Sequence, residues 1–133
     1  MAKNSKGPLG SVVVSILTMA LAVPVGAQVM LSDGENFSEQ SGEALYANVC
    51  AACHMNHGEG AMGAGKYPAL TQNQNLVVGD YPVYLVLHGH TGMPPIGHMM
   101  SDDQVAAVVN YVRTNFGNNY ENEVTREDVA DIR

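Results

Sequence analysis

Cys50-Ala51-Ala52-Cys53-His54 is the stretch on which the reading of this chain turns. Two cysteines three positions apart close only a tiny loop, so a bond between them cannot staple a domain of this size. With a histidine directly after the second cysteine, the spacing becomes C-x-x-C-H, the attachment pattern of a c-type haem. The chemistry asks for these residue types. Two thiols add to the two vinyl groups on one side of the porphyrin, and the two-residue spacer matches the separation of those groups. The following histidine is thereby held against the iron, where its imidazole serves as an axial ligand. Covalent attachment keeps the haem in place even in a protein too small to enclose it.

Two other uses of paired cysteines compete with this one. A redox dithiol of the thioredoxin kind normally sits in a βαβ pattern, and no strand-rich unit of that kind is visible here. A structural zinc site needs further ligands at metal spacing, usually a second C-x-x-C or a paired histidine motif. Neither occurs in the 133 residues, whose two cysteines are Cys50 and Cys53.

Upstream, Lys3 and Lys6 give a short basic start, and residues 12–25 (VVVSILTMALAVPV) are almost free of polarity. The run ends at Val25-Gly26-Ala27, with small side chains before Gln28. A basic start, an apolar middle and a small-residue exit are the parts of a secretory signal peptide, with cleavage expected after Ala27. The competing reading is a retained anchor. Leu9 to Val25, broken by Pro24, sits at the lower limit of the roughly 17–25 residues that span hydrocarbon.

Removal of residues 1–27 changes the charge. Lys66, Arg113, Arg126 and Arg133 are the cations that remain, against all 13 carboxylates, which gives −9. Such a surface disfavours nucleic acid and anionic lipid. It suits a partner with a basic docking patch, although acidic surplus also serves solubility alone.

The sixth iron position decides what a haem does. Methionine there raises the potential and favours electron transfer, whereas a vacant position invites small-ligand chemistry. The candidates are Met30, Met55, Met62, Met93, Met99 and Met100, with His57, His88, His90 and His98 as rivals. Met93 stands out by its setting, Gly89-His90-Thr91-Gly92-Met93-Pro94-Pro95-Ile96-Gly97. Glycines and prolines make this an irregular loop that no helix absorbs. Pro94 and Pro95 fix the backbone just after the methionine and leave it little entropy to lose. A methionine that merely fills a gap is the plainer alternative.

These features resemble the class I cytochrome c family over residues 39–116. Three blocks carry the resemblance: Gly42-Glu43-Ala44-Leu45-Tyr46 ahead of the C-x-x-C-H motif, Tyr67-Pro68-Ala69-Leu70, and Gly92-Met93-Pro94-Pro95 followed by residues 101–113. It implies an all-α small cytochrome c fold, three to four helices around one covalently attached haem. It implies Cys50 and Cys53 as thioethers and His54 and Met93 as axial ligands. Tyr67, Pro68 and Leu70 would lie around the haem, with the Pro68 carbonyl on the His54 ring. Gly42 and Tyr46 would pack against the last main helix near Tyr111. The third block looks most like small cytochrome partners of bacterial periplasmic dehydrogenases and oxidases. Ile96 departs from the phenylalanine-like residue more usual there, without touching the ligands.

The rest of the chain reads accordingly. Residues 28–38 are a polar leader. Ser38 or Ser41 caps a first helix running to about Cys53, with Leu45, Val49 and Ala52 on its apolar face. Gly42 inside it costs roughly 1 kcal/mol relative to alanine, which a close helix crossing would account for. Residues 55–74 read as loop, with a turn at residues 57–60. Residues 81–88 form a short helix with Leu85 and Leu87 inward, although the same stretch also passes for a strand. Ser101 and Gln104 make a capping box for a helix striped by Val105, Val108, Val109 and Val112 and ended by Gly117. Residues 118–133 are a charged tail with a short helix from Thr125 to about Ile132, read as a solvated face or as a docking element.

Nothing resembles a catalytic constellation. The expectation is a periplasmic one-electron carrier that accepts electrons from a dehydrogenase or oxidase and passes them on through an oxidase or another cytochrome. It works either as a diffusible shuttle or as a dedicated subunit. A haem sensor or peroxidase-like protein with an open iron position is the alternative.

Overall fold

The structure, a computed structural model, describes residues 36–63 and 65–133. The apolar run of residues 12–25, the expected cleavage site and Met30 lie outside them. Among the described residues, five α-helical segments, short π and 3-10 turns and one tiny hairpin make up the architecture. Helix α1 (Gly42–Leu45) begins at Ser41, whose hydroxyl accepts from the Ala44 N–H. Ser41, rather than Ser38, is therefore the cap. The rod then widens into a π-helical turn, Tyr46–Cys50, and tightens again as α2 (Ala51–His54). Sequence periodicity gives the rod but not the wide turn, a feature that recurs at functional sites.

The stretch expected to be loop contains a two-residue hairpin, β1 (Ala61–Met62) against β2 (Lys66–Tyr67), antiparallel with Ala61 opposite Tyr67. Helix α3 (Asp80–His88) settles the helix-or-strand ambiguity. It buries Pro82, Val83, Val86 and Leu87 and leaves Leu85 only half-buried. Helix α4 (Asp102–Thr114) starts on the expected capping box of Ser101 and Gln104. Gln104 does more than cap. Its amide also donates to the carbonyls of Phe37 at 2.8 Å and Glu39 at 2.7 Å, tying the segment before α1 down. The helix stops at Thr114, ahead of Gly117, and the chain reverses through Phe116 and Gly117 at φ 56° and 76°.

The core forms where α1 crosses α4. An ideal Cβ at Gly42 would strike the Ala107 carbonyl and the Tyr111 side chain, so the two backbones meet with no side chain between them. Beside the crossing, Tyr46 packs on Phe116 with ring centroids 4.6 Å apart and on Tyr111 at 5.7 Å. The valine stripe of α4 continues the core toward α3.

The charged end of the chain departs furthest from expectation. Residues 118–133 fold back over α4, and α5 (Arg126–Ile132) packs on both α3 and α4. Val129 is 0% exposed and Val124 is buried too, so this segment completes the core rather than lying as a solvated face. Arg113 underlies the return. It is 0% exposed and donates to the carbonyls of Leu76 (2.9 Å), Val77 (3.1 Å) and Asn122 and to the Asn122 side-chain oxygen (2.6 Å). None of these partners is a carboxylate. Burial pulls the guanidinium below its ordinary pKa, and four oxygen acceptors keep the cation satisfied without a counter-ion.

Gly42→Ala tests the crossing. Overpacking against the Ala107 backbone is expected to cost about 1–3 kcal/mol in denaturant unfolding, although alanine is the better helix former. A gain in stability would show that the helices are not in contact there.

Candidate haem site

The end of the first helical rod presents Cys50 and His54, and the chain beyond α2 is arranged around the histidine. Met55 leaves the helix at φ 65°. Gly60 N–H returns to the His54 carbonyl at 3.1 Å, and the Tyr46 hydroxyl donates to the Met55 carbonyl at 2.7 Å. The last carbonyl of the rod is thus satisfied by the loop that wraps beneath it, and Tyr46 of the rod holds the first carbonyl of that loop. Gly60 sits at φ 67° with the backbone of residues 67–69 where a side chain would be. That close approach brings Pro68 over His54.

The His54 ring contacts the Pro68 carbonyl through Nδ1 at 2.9 Å. A carbonyl only accepts, so Nδ1 carries the proton and Nε2 keeps its lone pair for a ligand. Orientation of a metal-binding imidazole by a carbonyl on its far nitrogen is the usual supporting arrangement for such sites.

His54, Cys50 and Pro68 line one side of a cleft that is partly open to solvent. Leu70 and Leu76 extend this wall, and Tyr81, Pro82, Leu85 and Val86 of α3 line the cleft from their side. Val108, Val109 and Val112 of α4 form the floor, and Met93 enters from its loop. The polar contributions are few, chiefly His54, Asn73 and Asn75. A mostly apolar, partly open cleft with one free imidazole nitrogen and one thioether has the donor set for a haem iron.

Met93 is held by its own backbone. Its N–H donates to the His90 carbonyl at 2.9 Å and its carbonyl accepts from His90 N–H at 3.0 Å, closing a tight turn through Thr91 and Gly92. Gly89, at φ 71°, leaves no room for a side chain beside the Met93 carbonyl.

Of the residues singled out from sequence, the fold brings Cys50, His54, Pro68, Leu70 and Met93 to one cleft. Cys53 lies outside its lining, half-buried a turn along from Cys50, and Tyr67 is 42% exposed at the hairpin and outside the lining too. His57, His88, His90 and His98 are exposed and take no part in the lining. His88 instead meets the Ile132 carbonyl at 3.2 Å and His98 the Pro95 carbonyl at 2.9 Å. Among the described methionines only Met93 lines the cleft; Met62 is exposed and Met100 is core.

Sequence reasoning missed two supports. Asn118 donates to the Leu70 carbonyl at 2.8 Å and accepts from Asn73 N–H at 2.9 Å, and Tyr120 reaches the Asn73 carbonyl at 3.1 Å. Both cleft-lining positions are therefore anchored by residues past Gly117, and no short-range pattern signals a contact 45 or more residues distant.

Burial, with Cys53 close by, pushes the Cys50 thiol up to about 11. A catalytic dithiol has the opposite bias, toward a stabilised thiolate. Among the described residues, no three His, Cys, Asp or Glu side chains converge on a metal position. The arrangement is that of a cytochrome.

Comparison with known proteins agrees. Residues 38–112 match the family model described as "Cytochrome C oxidase, cbb3-type, subunit III". The chain belongs to this family, among the class I cytochromes c. It is 35% identical over 118 residues to the cytochrome c subunit of alcohol dehydrogenase (quinone) from Gluconacetobacter polyoxogenes, covering 78% of this chain and 24% of that protein. It is 36% identical over 107 residues to the gluconate 2-dehydrogenase cytochrome c subunit of Pantoea cypripedii, covering 71% and 24%. Cytochrome c6 of Thermosynechococcus vestitus is 31% identical over 101 residues, covering 74% of this chain and 85% of its own length. The chain thus spans about a quarter of the dehydrogenase subunits and most of cytochrome c6. Each relative is named as a cytochrome or a cytochrome subunit.

Tyr46 gives a measurable handle on the loop beneath His54. Burial first, then the nearby Cys50 and Glu59, pushes its phenol up to about 12 from 10. The folded state thus favours the neutral phenol, a contribution complete below pH 10 and lost as pH rises toward 12. Tyr46→Phe is expected to lose about 1 kcal/mol at neutral pH with the bond to Met55. The wild type's advantage should then shrink between pH 10 and 12 in paired urea titrations. A constant difference would contradict this account.

Proposed function

We propose that this chain is a one-electron carrier of the periplasm with a single haem c. Cys50 and Cys53 would hold the haem as thioethers, and His54 and Met93 would be its axial ligands. The observation that carries the reading is that an imidazole with a free Nε2 and a loop-held thioether line the same apolar cleft as Cys50. When bound, the haem supplies the reversible iron couple.

The rest is the work of the chain's own residues. Pro68 keeps the proton on Nδ1 of His54 and fixes the ring. Leu70, Leu85 and the α4 valines exclude water, so little solvent rearranges as charge changes. Gly89 and the His90 turn hold Met93 for both oxidation states. No nucleophile–base pair is part of this scheme, and the chain acts through what docks on it.

As donor we propose a periplasmic dehydrogenase, with an oxidase or another cytochrome as acceptor. The dehydrogenase subunits among the relatives support the donor class, and so does the charge of −9 left once residues 1–27 are removed. Secretion would be directed by residues 1–27, cut after Ala27. Among the described residues no helix is long and apolar enough to cross a membrane. A role for residues 118–133 in docking has to be sought on their exposed acidic face. Deleting them would remove Val124, Val129 and Asn118 from the core and so unfold the protein instead of merely uncoupling it.

The experiment is a visible spectrum of the haem-loaded protein, oxidised and reduced, beside Met93→Ala. The weak long-wavelength band of a methionine–ferric bond is expected in the wild type and absent from the variant. Its absence from the wild type would defeat the Met93 assignment and bring forward the open-iron sensor or peroxidase.

A further inference from the structure

The segment that joins the methionine loop to α4 has few backbone bonds to the rest of the fold, among them Phe37 N–H to the Met99 carbonyl at 3.1 Å. Pro94 and Pro95 have no N–H to give. The single turn Gly97–Met99 is all the regular structure it contains. From α3 it receives one backbone bond, Ile96 N–H to the Val86 carbonyl at 3.2 Å, and the close seating of Gly97 against Leu87.

On its other side lies Arg133. The guanidinium donates through Nη1 to the Gly97 carbonyl at 2.9 Å and through Nη2 to the Met100 carbonyl at 3.1 Å. Its Nε pairs with Asp102 Oδ1 at 2.7 Å, in the first turn of α4. One planar fork therefore spans both ends of the turn and the helix that follows. The base of this fork is fixed. Arg133 N–H caps α5 on the Val129 carbonyl at 3.0 Å, Val129 is fully buried, and Thr125 and Asp128 form a capping box at the other end of α5.

We propose that Arg133 is a positioning residue for Met93, a clasp that keeps the methionine loop closed over the haem cleft. The proposal rests on Met93 as an iron ligand. Gly97 is four residues from Met93, and two of the three residues between them are prolines, which transmit a fixed position along the chain. Loss of the clasp frees the far end of the loop, and the thioether then leaves the iron more often. A lysine cannot replace the guanidinium, because a point charge cannot serve three acceptors in one plane.

The test uses the full chain loaded with haem, as wild type, Arg133→Gln, Arg133→Lys and Asp102→Asn. Imidazole is titrated against the methionine–iron band, and thermal unfolding is recorded in parallel. Imidazole binds only where Met93 has left, so its apparent affinity reports the open fraction. Arg133→Gln is expected to tighten imidazole binding about tenfold, with a smaller change for Arg133→Lys and the smallest for Asp102→Asn, which keeps both carbonyl contacts. A merely structural arginine would lower the melting temperature and leave imidazole affinity unchanged. That result overturns the clasp while leaving Met93 in place. If Arg133→Gln fails to fold, Arg133→Lys decides by the same measure. Absence of the band from the wild type would defeat the Met93 assignment and the clasp with it.

Discussion

The close approach of α1 to α4 at Gly42 governs what the remaining structure can do. With no side chain between the backbones, the rod that carries Cys50 and His54 is set directly on the helix that supplies the cleft floor. Any spacer there would lift the cysteine–histidine end away from Val108, Val109 and Val112. The aromatic trio of Tyr46, Tyr111 and Phe116 fixes the angle of this crossing from the side. Such ring pairs add specific geometry to simple area burial.

From that crossing, the two sides of the haem cleft are built by different means. On the histidine side, short-range loop geometry does the work. Positive φ at Met55, Gly58 and Gly60 turns the chain under the helix and lays Pro68 on the imidazole. On the methionine side, the local turn at His90–Met93 aims the residue, but the loop around it depends on α3 and α5. The His54 side is held by contacts from residues close in sequence. The Met93 side also relies on elements distant in sequence, which makes it the more easily opened of the two by local unfolding.

The C-terminal return explains how so short a chain closes its core. The domain has little apolar area to bury, and residues 118–133 contribute Val124 and Val129 to it. They also satisfy the buried polar groups that the cleft walls leave over. Arg113, Asn118 and Asn110 each bind backbone carbonyls of other segments, Arg113 that of Leu76 and Asn118 that of Leu70 across the longest separations. These polar side chains thus act as internal ties, each of the three partnered by backbone carbonyls.

By itself, the sequence determined the family motif and the short-range features. The motif at residues 50–54 pointed to the family through spacing alone, Ser101 and Gln104 specify a helix start, and the valines at three- and four-residue spacing specify its buried face. Met93 was legible from the prolines and glycines beside it. Tertiary structure decided the rest. It made Ser41 the cap, widened the first rod at Tyr46–Cys50, and formed a hairpin where composition reads as loop. Above all, it turned a charged terminal stretch into core. Composition averages over residues 118–133, whereas burial singles out Val124 and Val129 among the carboxylates. Which side of a short helix finds a partner depends on contacts 30 or more residues away, such as those of Arg133 with Gly97 and Asp102, and no local pattern encodes such distances.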